Sequence, residues 1–347
     1  MPDCWRTIGS MKSRRRLQIK LMKERIQMTK KTNRVVGLIG IVSRMANWNA
    51  DFSGLPKTTS NGQIFGSDKA LKYSIKRYWE EQGHKVLYIR SYKMGGKGND
   101  ASKLQPRNLD ERYEHLFGEK VSKSSAEVLS RLFQCVDVMN FGATFAVKEQ
   151  NIGLAGPVQI GQGFNKFEFA NVEIQDILSP FRNSNEDSAD KDATSIGKKR
   201  TVDESHYIYP FSVNPKHYDS YVELEGIADF EGYTEEAYEA FKQGALVGAT
   251  LQNTNSKSGA ENAFALFVEF KPDVPSYMPN LDPYVKVIKQ KDQVIYDLSA
   301  ILPLLEDVQE YIDHIELYVN PYAAAVELKY PGVQTYNIFT RKELNLL

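Results

Sequence analysis

Val35-Val36-Gly37-Leu38-Ile39-Gly40-Ile41-Val42 is the apolar run from which the fold can be worked out. Its length and its content of valine and isoleucine predict a buried β-strand. Gly37 and Gly40 mark places where another backbone can approach this strand closely. Ordered structure is therefore expected to begin at Arg34.

A helix is predicted after the polar loop that follows this strand, from Ser67 to about Gln82. Ser67 is a good N-cap residue, and Gly83 sits where a C-terminal stop belongs. One face of the helix is apolar and should face the core, through Leu71, Ile75 and Tyr78. A separate stripe is basic and is either a solvated face or a row of phosphate contacts, formed by Lys69, Lys72 and Lys76.

Further strand and helix patterns follow along the chain. Strands are predicted at Val86–Ile89, Phe141–Val147, Tyr207–Val213 and Ala263–Phe270, and helices at 124–138 and 235–247. Long polar insertions separate these elements, and insertions of that length are usually functional or disordered. The order of elements predicts an α+β fold, with helices on one face of a mostly antiparallel sheet.

The composition is that of a globular protein. With 347 residues, of which 41% are hydrophobic, the chain can build a substantial core. Two cysteines are too few for a disulfide framework or a thiolate zinc site, which favours a reducing compartment. No apolar run reaches the roughly 18 residues that a membrane span needs, and the basic start lacks the apolar core of a signal peptide. We expect a cytoplasmic protein with no membrane partner.

The neutral total charge, 44 basic against 44 acidic residues, conceals an asymmetry. Residues 1–34 carry a net charge of +9, residues 35–150 of +5 and residues 151–347 of −14. Such polarity can steer the basic half toward a polyanion or toward the acidic half of another copy, and it can also be solvated surface. Residues 1–33 contain no helix cap or sustained apolar stripe, so we expect a basic, poorly ordered N-terminal extension.

The sequence motifs identify no enzyme, metal site or cofactor. Gly197-Lys198-Lys199 lacks the upstream glycine and the hydroxyl of a phosphate-binding loop, and Gly161-Gln162-Gly163 lacks the third glycine of a dinucleotide fingerprint. The five histidines are scattered without the spacing of metal ligands. No Gly-x-Ser-x-Gly nucleophile elbow is present.

Six short motifs occur together in a familiar order. They are Asn47-Trp48-Asn49-Ala50-Asp51, Ser67-Asp68 with Lys76-Arg77, Asp137-Val138-Met139-Asn140-Phe141-Gly142, Gly156-Pro157-Val158-Gln159, Gly197-Lys198 and Asn255-Ser256-Lys257. The set resembles the backbone subunit of CRISPR Cascade complexes, the Cas7 family, and is most similar to its type I-B branch. The resemblance covers about Arg34 to Lys271.

The resemblance implies a fold and a function. The fold is a modified RNA-recognition-motif (ferredoxin-like) palm over residues 34–347, with finger and thumb β-hairpin insertions and the thumb at about 160–205. The function is a non-catalytic subunit of a type I Cascade surveillance complex in antiviral defence. It binds the guide CRISPR RNA, forms a helical filament with further copies of itself and other Cascade subunits, and presents the guide to the target DNA strand.

Carried over onto this sequence, the resemblance implies a set of RNA-contacting residues, namely Asn47, Asn49, Ser67, Lys69, Lys76, Gln159, Lys198 and Lys257. The asparagines can instead cap their own turn, Gln159 can make an ordinary strand hydrogen bond, and Lys257 can be a solvated loop charge. A thumb wedge that kinks the RNA needs an apolar side chain, and the candidates are Leu178, Phe181 and Ile196. These three can also be ordinary packing within the hairpin. Trp48 stands where the family often has proline or glycine, and it could stack on a base or sugar.

Two alternatives stay open from the sequence. Type III relatives of the family cleave target RNA with an acidic residue in an equivalent loop, and Asp51 is the nearby candidate for an RNA-guided endoribonuclease. The second alternative is an RNA-binding regulator outside CRISPR that uses a similar sheet.

Overall fold

The computed structural model describes residues 29–95, 103–178, 195–228, 230–291 and 293–344. The chain divides into two compact units. The first comprises the described residues of 1–33, Gln82–Val158 and Val213–Gln243, and the second those of Arg34–Glu81, Gln159–Ser212 and 244–347. Residues 1–28 of the predicted basic extension lie outside the described residues.

Strands and helices are numbered here in chain order. The strands are β1 Val35–Ala46, β2 Phe65–Gly66, β3 Tyr92–Met94, β4 Leu104–Pro106, β5 Gly142–Val147, β6 Gln150–Ala155, β7 Val158–Ile160, β8 Gly163–Asn165, β9 Val172–Leu178, β10 Ser195–Val213, β11 Ala260–Phe270, β12 Lys286–Gln290, β13 Gln293–Asp297, β14 Ile312–Val319, β15 Ala325–Glu327 and β16 Val333–Asn337. The helices are α1 Asp68–Glu81, α2 Leu109–Phe117, α3 Ser125–Leu132, α4 Val136–Phe141, α5 Asp219–Val222, α6 Glu235–Leu251 and α7 Leu302–Asp307.

The second unit is built on a large, mostly antiparallel sheet. Nine strands form it in the order β16-β14-β11-β1-β10-β8-β2, with β7 and β9 also paired to β10. β1 pairs antiparallel with β11, β11 with β14, and β10 with β8 and β9, whereas β14 and β16 run parallel. The predicted mixed α+β fold class is confirmed.

The predicted strand at Val35–Val42 is the inner strand β1, between β10 and β11. Its side chains are buried, as the unbroken apolar run requires. Gly37 lies against the Leu266 carbonyl oxygen and the Phe211 ring, so a Cβ there would overlap both. The predicted close approach of a second backbone is therefore confirmed at Gly37.

The predicted helix from Ser67 is α1. The Ser67 hydroxyl accepts a hydrogen bond from the Ala70 amide (3.4 Å), and Gly83 has a positive φ of 85° just past the last turn. Leu71 and Ile75 are buried, as their spacing predicts. Tyr78, the third residue of the predicted apolar face, is half-buried, and its neighbour Trp79 is wholly buried instead. The caps therefore agree with the sequence pattern, and the apolar face agrees at two of its three predicted residues.

Helix α1 packs closely against the end of α6. A Cβ on Gly248 would lie 3.1 Å from the Ile75 backbone nitrogen, so a side chain there would push these helices apart by a few tenths of an ångström. The Ser74 hydroxyl donates to the Gln252 side chain. The middle of α1 is thus held against the end of α6.

The first unit corrects one strand prediction. The backbone of Val86–Ile89 is bent and forms no strand, although its apolar side chains are buried. The Leu87 and Tyr88 amides donate to the two carboxylate oxygens of Asp137 (2.8 Å each) instead of to a neighbouring strand. Burial was predicted correctly, but a side chain 50 residues away satisfies the backbone.

The single helix predicted over 124–138 is two short helices, α3 and α4. Between them the Val136 amide donates to the Lys85 carbonyl (2.9 Å), which interrupts the helical hydrogen-bond pattern.

None of the helices in the described part of the chain has the combined length and apolar content needed to cross a bilayer.

Candidate nucleic-acid interface

The loop after β1, residues 47–57, is closed by hydrogen bonds within the protein, and we call it the Asn47 loop. Asn47 is buried, and its backbone amide donates to the Ser256 carbonyl (2.8 Å). Its side-chain Nδ2 donates to the Gly54 carbonyl (3.0 Å). Asn47 therefore fixes the shape of the loop from inside.

Asn49 connects this loop to the start of α1. Its Oδ1 accepts a hydrogen bond from the Ser67 amide (2.8 Å), while the Ser67 hydroxyl caps the helix. Both residues are half-buried. The predicted contacts Asn49 and Ser67 thus lie side by side, and each already bonds to the protein.

Lys257 joins a second loop to the Asn47 loop. Its Nζ donates to the carbonyl oxygens of Asn47 (3.1 Å) and Trp48, and it lies 5.2 Å from the centre of the Trp48 ring. Burial lowers the pKa of this amine to about 8, because a charged group is disfavoured away from water. Lys257 therefore holds two backbone carbonyls and is not a solvated loop charge.

Trp48 is wholly buried, so the suggestion that it stacks on a base or sugar is wrong. Its indole Nε1 donates to the Tyr209 hydroxyl (2.6 Å), and burial raises the pKa of that phenol. The ring serves as the floor of the Asn47 loop.

Asp51 turns the tip of the same loop. Its Oδ1 accepts from the Ser53 amide and hydroxyl (2.8 Å each) and from the Leu55 amide (3.0 Å). These bonds, led by the Ser53 hydroxyl, lower the pKa of the carboxyl, because each favours the charged form. The Asp51 carboxylate is exposed and ionised, and one of its oxygens is fully used by the turn.

The lysines of α1 differ in environment. Lys69 projects into solvent with 89% of its side chain exposed. Lys72 forms an ion pair with Asp68 (3.2 Å), one turn earlier. Lys76 is half-buried and interacts within the protein. Of the predicted stripe, Lys69 is the group best placed to meet a phosphate.

Strands β9 and β10 form a two-stranded ribbon, residues 172–178 and 195–202, that carries further cations. Lys198 is 55% exposed and lies 3.8 Å from Asp176 on the opposite strand. Arg200, two residues on, shares its face, and a Cβ on Gly54 would lie 3.3 Å from the Arg200 guanidinium. Arg200 therefore stands beside the tip of the Asn47 loop.

The ribbon also exposes apolar side chains. Every residue of β9 is exposed, and Leu178 at its end is 68% exposed. Of the other wedge candidates, Phe181 lies outside the described residues, and Ile196 lies in β10 with its side chain outside them. Leu178, the last residue of β9 that the structure describes, is thus an exposed apolar group.

All eight predicted contacts lie in the second unit. Four of them belong to one hydrogen-bonded cluster, consisting of Asn47, Asn49, Ser67 and Lys257. The Asn47–Lys257 pair and the Asn49–Ser67 pair are joined through Trp48 and Tyr209, because Lys257 donates to the Trp48 carbonyl, the Trp48 indole to the Tyr209 hydroxyl, and that hydroxyl to the Ser67 carbonyl (3.5 Å). Lys69 follows this cluster at the start of α1. Gln159 is exposed on β7 and Lys198 on the ribbon, and no contact described here joins either of these or Lys76 to the cluster.

Two other motifs meet in the first unit and serve packing. Gly142 has a φ of 81°, and a Cβ on it would overlap the Gly156 nitrogen and the Leu154 carbonyl. Asn140 is buried and accepts from the Tyr233 hydroxyl (2.7 Å). Among the described residues, no three histidine, cysteine, aspartate or glutamate side chains are grouped so that they could hold a metal ion.

A family comparison identifies the chain. The family described as "CRISPR-associated protein Cas7" matches residues 33–301, which include every motif of the cluster and the ribbon. The chain belongs to the Cas7 family. This membership confirms the predicted function, a backbone subunit that binds CRISPR RNA, and it removes the alternative of a regulator outside CRISPR.

Two solved structures are also similar to the chain. One, described as "CRISPR RNA-guided surveillance complex, pre-nicking", matches with 14% identity and a TM-score of 0.49, covering 86% of this chain and 97% of that one. Another, described as "CRISPR RNA-guided surveillance complex", matches with 14% identity and a TM-score of 0.42, covering 85% and 95%. No curated protein matches the chain.

Two residues of this Cas7 chain were missed by the sequence reasoning. Arg200 is the same-face neighbour of Lys198, which the alternation of side chains along a strand could have indicated. Phe52 is fully exposed at the tip of the Asn47 loop. An aromatic residue between Asp51 and Ser53 in a predicted polar loop was the feature of the sequence that could have indicated Phe52.

Proposed function

We propose that this Cas7 chain is a non-catalytic backbone subunit of a type I Cascade complex, of the I-B branch, that polymerises along CRISPR RNA in the cytoplasm. It holds the sugar–phosphate backbone of the guide and leaves the bases free to pair with the target DNA strand. The observation that carries this proposal is the position of Arg200 beside the internally bonded Asn47 loop.

A guide of arbitrary sequence must be held by contacts to phosphate, sugar and shape, because contacts to base edges would restrict the guide. Three exposed or half-buried cations suit this role, namely Lys69, Lys198 and Arg200. Lys69 follows the cluster at the start of α1, and Arg200 stands beside the Asn47 loop, whose polar side chains are mostly bonded within the protein. The surface is therefore formed before RNA arrives, and little ordering is needed on binding.

In this proposal the nine-stranded sheet with α1 and α6 is the RNA-recognition-motif-like palm, and the ribbon is part of the thumb. Residues 160–205, predicted as the thumb, contain β8, β9 and most of β10. Leu178 is our candidate for the wedge, because an exposed apolar side chain on the ribbon can enter a base step. Phe181 and Ile196, three and eighteen residues further along, remain wedge candidates of the same thumb.

Asp51 supports a binding role for this loop and not a cleaving one. Its Oδ1 accepts three hydrogen bonds from the turn, so replacing Asp51 should change the loop before any chemistry. We expect no cleavage of guide or target RNA by the wild-type protein with Mg²⁺ or Mn²⁺. Metal-dependent cleavage that Asp51→Ala abolishes would favour the endoribonuclease alternative.

The binding proposal is tested by fluorescence anisotropy with two single-stranded RNAs of equal length and unrelated sequence. We expect equal affinities within about twofold, and a log–log salt dependence of about −0.7 per phosphate neutralised. A tenfold preference for one sequence, or an affinity independent of salt, would contradict the proposal.

A further inference from the structure

The tip of the Asn47 loop is a small closed turn with a defined shape. Ala50 and Pro56 pair as an antiparallel bridge at its base. Within it the Asp51 amide donates to the Leu55 carbonyl (2.8 Å), and Gly54 adopts a φ of 83° that favours glycine. The turn is therefore held by its own backbone.

The Asp51 carboxylate completes this turn. Through Oδ1 it bonds Ser53 and Leu55, the residues on either side of Gly54. The pKa of the carboxyl is lowered by these bonds, so the group stays ionised and bonded at neutral pH. With both neighbours fixed, the backbone of Phe52 is held in one place.

Phe52 points its whole ring into solvent from this fixed turn. The other aromatic residue of the loop, Trp48, is wholly buried beneath it. Phe52 is the most exposed of the large hydrophobic side chains in the described part of the chain, and covering its ring with a partner would recover the free energy of removing apolar surface from water. The loop thus contains one wholly buried aromatic side chain, Trp48, and one fully exposed aromatic side chain, Phe52.

The surroundings of Phe52 favour a nucleobase over an apolar protein surface. Its sequence neighbours are the ionised Asp51 and the exposed Ser53, and the Arg200 guanidinium lies beside Gly54 at the same turn. Leu55 is the other exposed apolar side chain of this turn, so the apolar patch is small. A cation beside an exposed ring suits a nucleotide, whose base stacks while its phosphate pairs with the cation. A protein partner would require a broader apolar patch.

We propose that Phe52 is a stacking platform for one unpaired nucleobase of bound RNA, and that Asp51 is the positioning residue that presents it. The inference rests on the proposed function, because it assumes that RNA lies along this loop. Stacking accepts any base, so the platform adds affinity without selecting a sequence.

Three variants at one position test this proposal by anisotropy with a single-stranded RNA of mixed sequence. We expect Phe52→Ala and Phe52→Leu to lower RNA affinity about 10-fold, since leucine is apolar but has no π face. Phe52→Trp should restore wild-type affinity, and RNA should quench its added fluorescence. The salt slope should be the same for all three, because none of them removes a phosphate contact. Tyr322→Ala, which removes an exposed aromatic side chain of the same unit outside the loop, should bind like wild type.

Positioning by Asp51 has its own readout. In the Phe52→Trp background, Asp51→Ala should weaken the quenching of the added tryptophan by RNA and lower RNA affinity about as much as Phe52→Ala does. The double variant Asp51→Ala, Phe52→Ala should bind RNA about as tightly as Phe52→Ala alone, because both changes remove the same contact. Wild-type affinity in Phe52→Ala would overturn the platform. Wild-type RNA affinity in Phe52→Leu would also overturn it, because an apolar side chain without a π face would then serve equally well. If the wild-type protein binds no RNA at any salt concentration, the proposed function itself is wrong. If the wild-type protein binds RNA and the Phe52 and Asp51 variants bind it with the same affinity, only the proposed stacking by Phe52 is wrong.

Discussion

The Asn47 loop and the β9–β10 ribbon contain the same kinds of residue but use them in opposite ways. At the loop, the side chains of Asn47, Asn49 and Lys257 bond to backbone groups, and the Trp48 indole donates to the Tyr209 hydroxyl. In the ribbon, every residue of β9 is exposed, Lys198 is exposed and Arg200 is half-buried. The loop is held mainly by bonds within the described part of the chain, whereas β9 leaves its side chains in solvent.

This difference separates shape from attraction. In the proposed function, residues of the loop set where an RNA backbone lies, and their loss should lower the stability of the fold. Residues of the ribbon would supply charge and apolar surface to the RNA, and their loss should lower RNA affinity. Substitutions in the two regions test this division.

The largest effect is expected from removing the floor of the loop. Trp48→Ala should lower the free energy of unfolding by about 3–5 kcal/mol, because it leaves a large cavity and removes the indole donor to the Tyr209 hydroxyl. Leu178→Ala, at the exposed end of the ribbon, should change it by less than about 0.5 kcal/mol. Urea unfolding measures both. Equal destabilisation by the two substitutions would show that the ribbon is also packed.

The second effect concerns the ribbon cations. The double variant Lys198→Ala, Arg200→Ala should make the salt slope of RNA binding shallower by about 1.4 and lower affinity at 0.1 M salt about 20-fold, because two phosphate contacts are lost. Its urea midpoint should match that of wild type. The matched control Lys123→Ala, Lys286→Ala removes two exposed lysines elsewhere and should leave the slope unchanged. A slope that both double variants reduce equally would indicate attraction by overall charge alone.

The third effect is a pH dependence of stability at Lys257. Burial lowers its pKa in the folded protein to about 8 from the usual 10.5, so between these values the unfolded chain binds more protons. Stability rises with pH wherever the unfolded state binds more protons. The free energy of unfolding of wild type relative to Lys257→Met should therefore increase by up to about 1.4 kcal/mol per pH unit across this window.

Urea unfolding of both proteins at pH 7, 8, 9 and 10 measures the Lys257 effect. Lys198→Met removes an exposed lysine of the ribbon and should follow the wild-type pH dependence. Parallel curves for wild type and Lys257→Met would contradict the buried, internally bonded position of this amine.

The smallest effect is expected at the link from the loop to α1. Asn49→Ala removes the acceptor of the Ser67 amide and should cost about 1 kcal/mol of stability. Asn151→Ala, at an exposed position of β6, serves as the control and should cost less than about 0.5 kcal/mol. No loss in Asn49→Ala would mean that water replaces this hydrogen bond without penalty.

Local patterns predicted the parts of the fold that are decided locally. The apolar run of β1 and the caps of α1 at Ser67 and Gly83 required only neighbouring residues. The stretch Val86–Ile89 carried the same apolar signal and failed as a strand, because the carboxylate of Asp137 binds its amides. Which partner satisfies a backbone is a tertiary property that a local pattern does not contain.

The candidate site was predicted by position better than by role. The motifs placed Asn47, Asn49, Ser67 and Lys257 in one set, and the structure joins them, but by bonds within the protein. The direction of a loop lysine depends on which carbonyls it can reach, and for Lys257 these belong to residues about 210 positions away. The solvated ends of the site, Phe52 and Arg200, lie outside the motif residues that the resemblance carried over.

Copies of this chain are proposed to bind side by side along the sugar–phosphate backbone of RNA, and the mass of the complexes shows how many bind. Native mass spectrometry of the protein with single-stranded RNAs of increasing length and mixed sequence counts the copies bound to each RNA. Binding through the RNA backbone predicts a copy number that rises in even steps with RNA length, irrespective of sequence, and falls as the salt concentration is raised. A single copy on every length, or steps that appear with one sequence only, would contradict it.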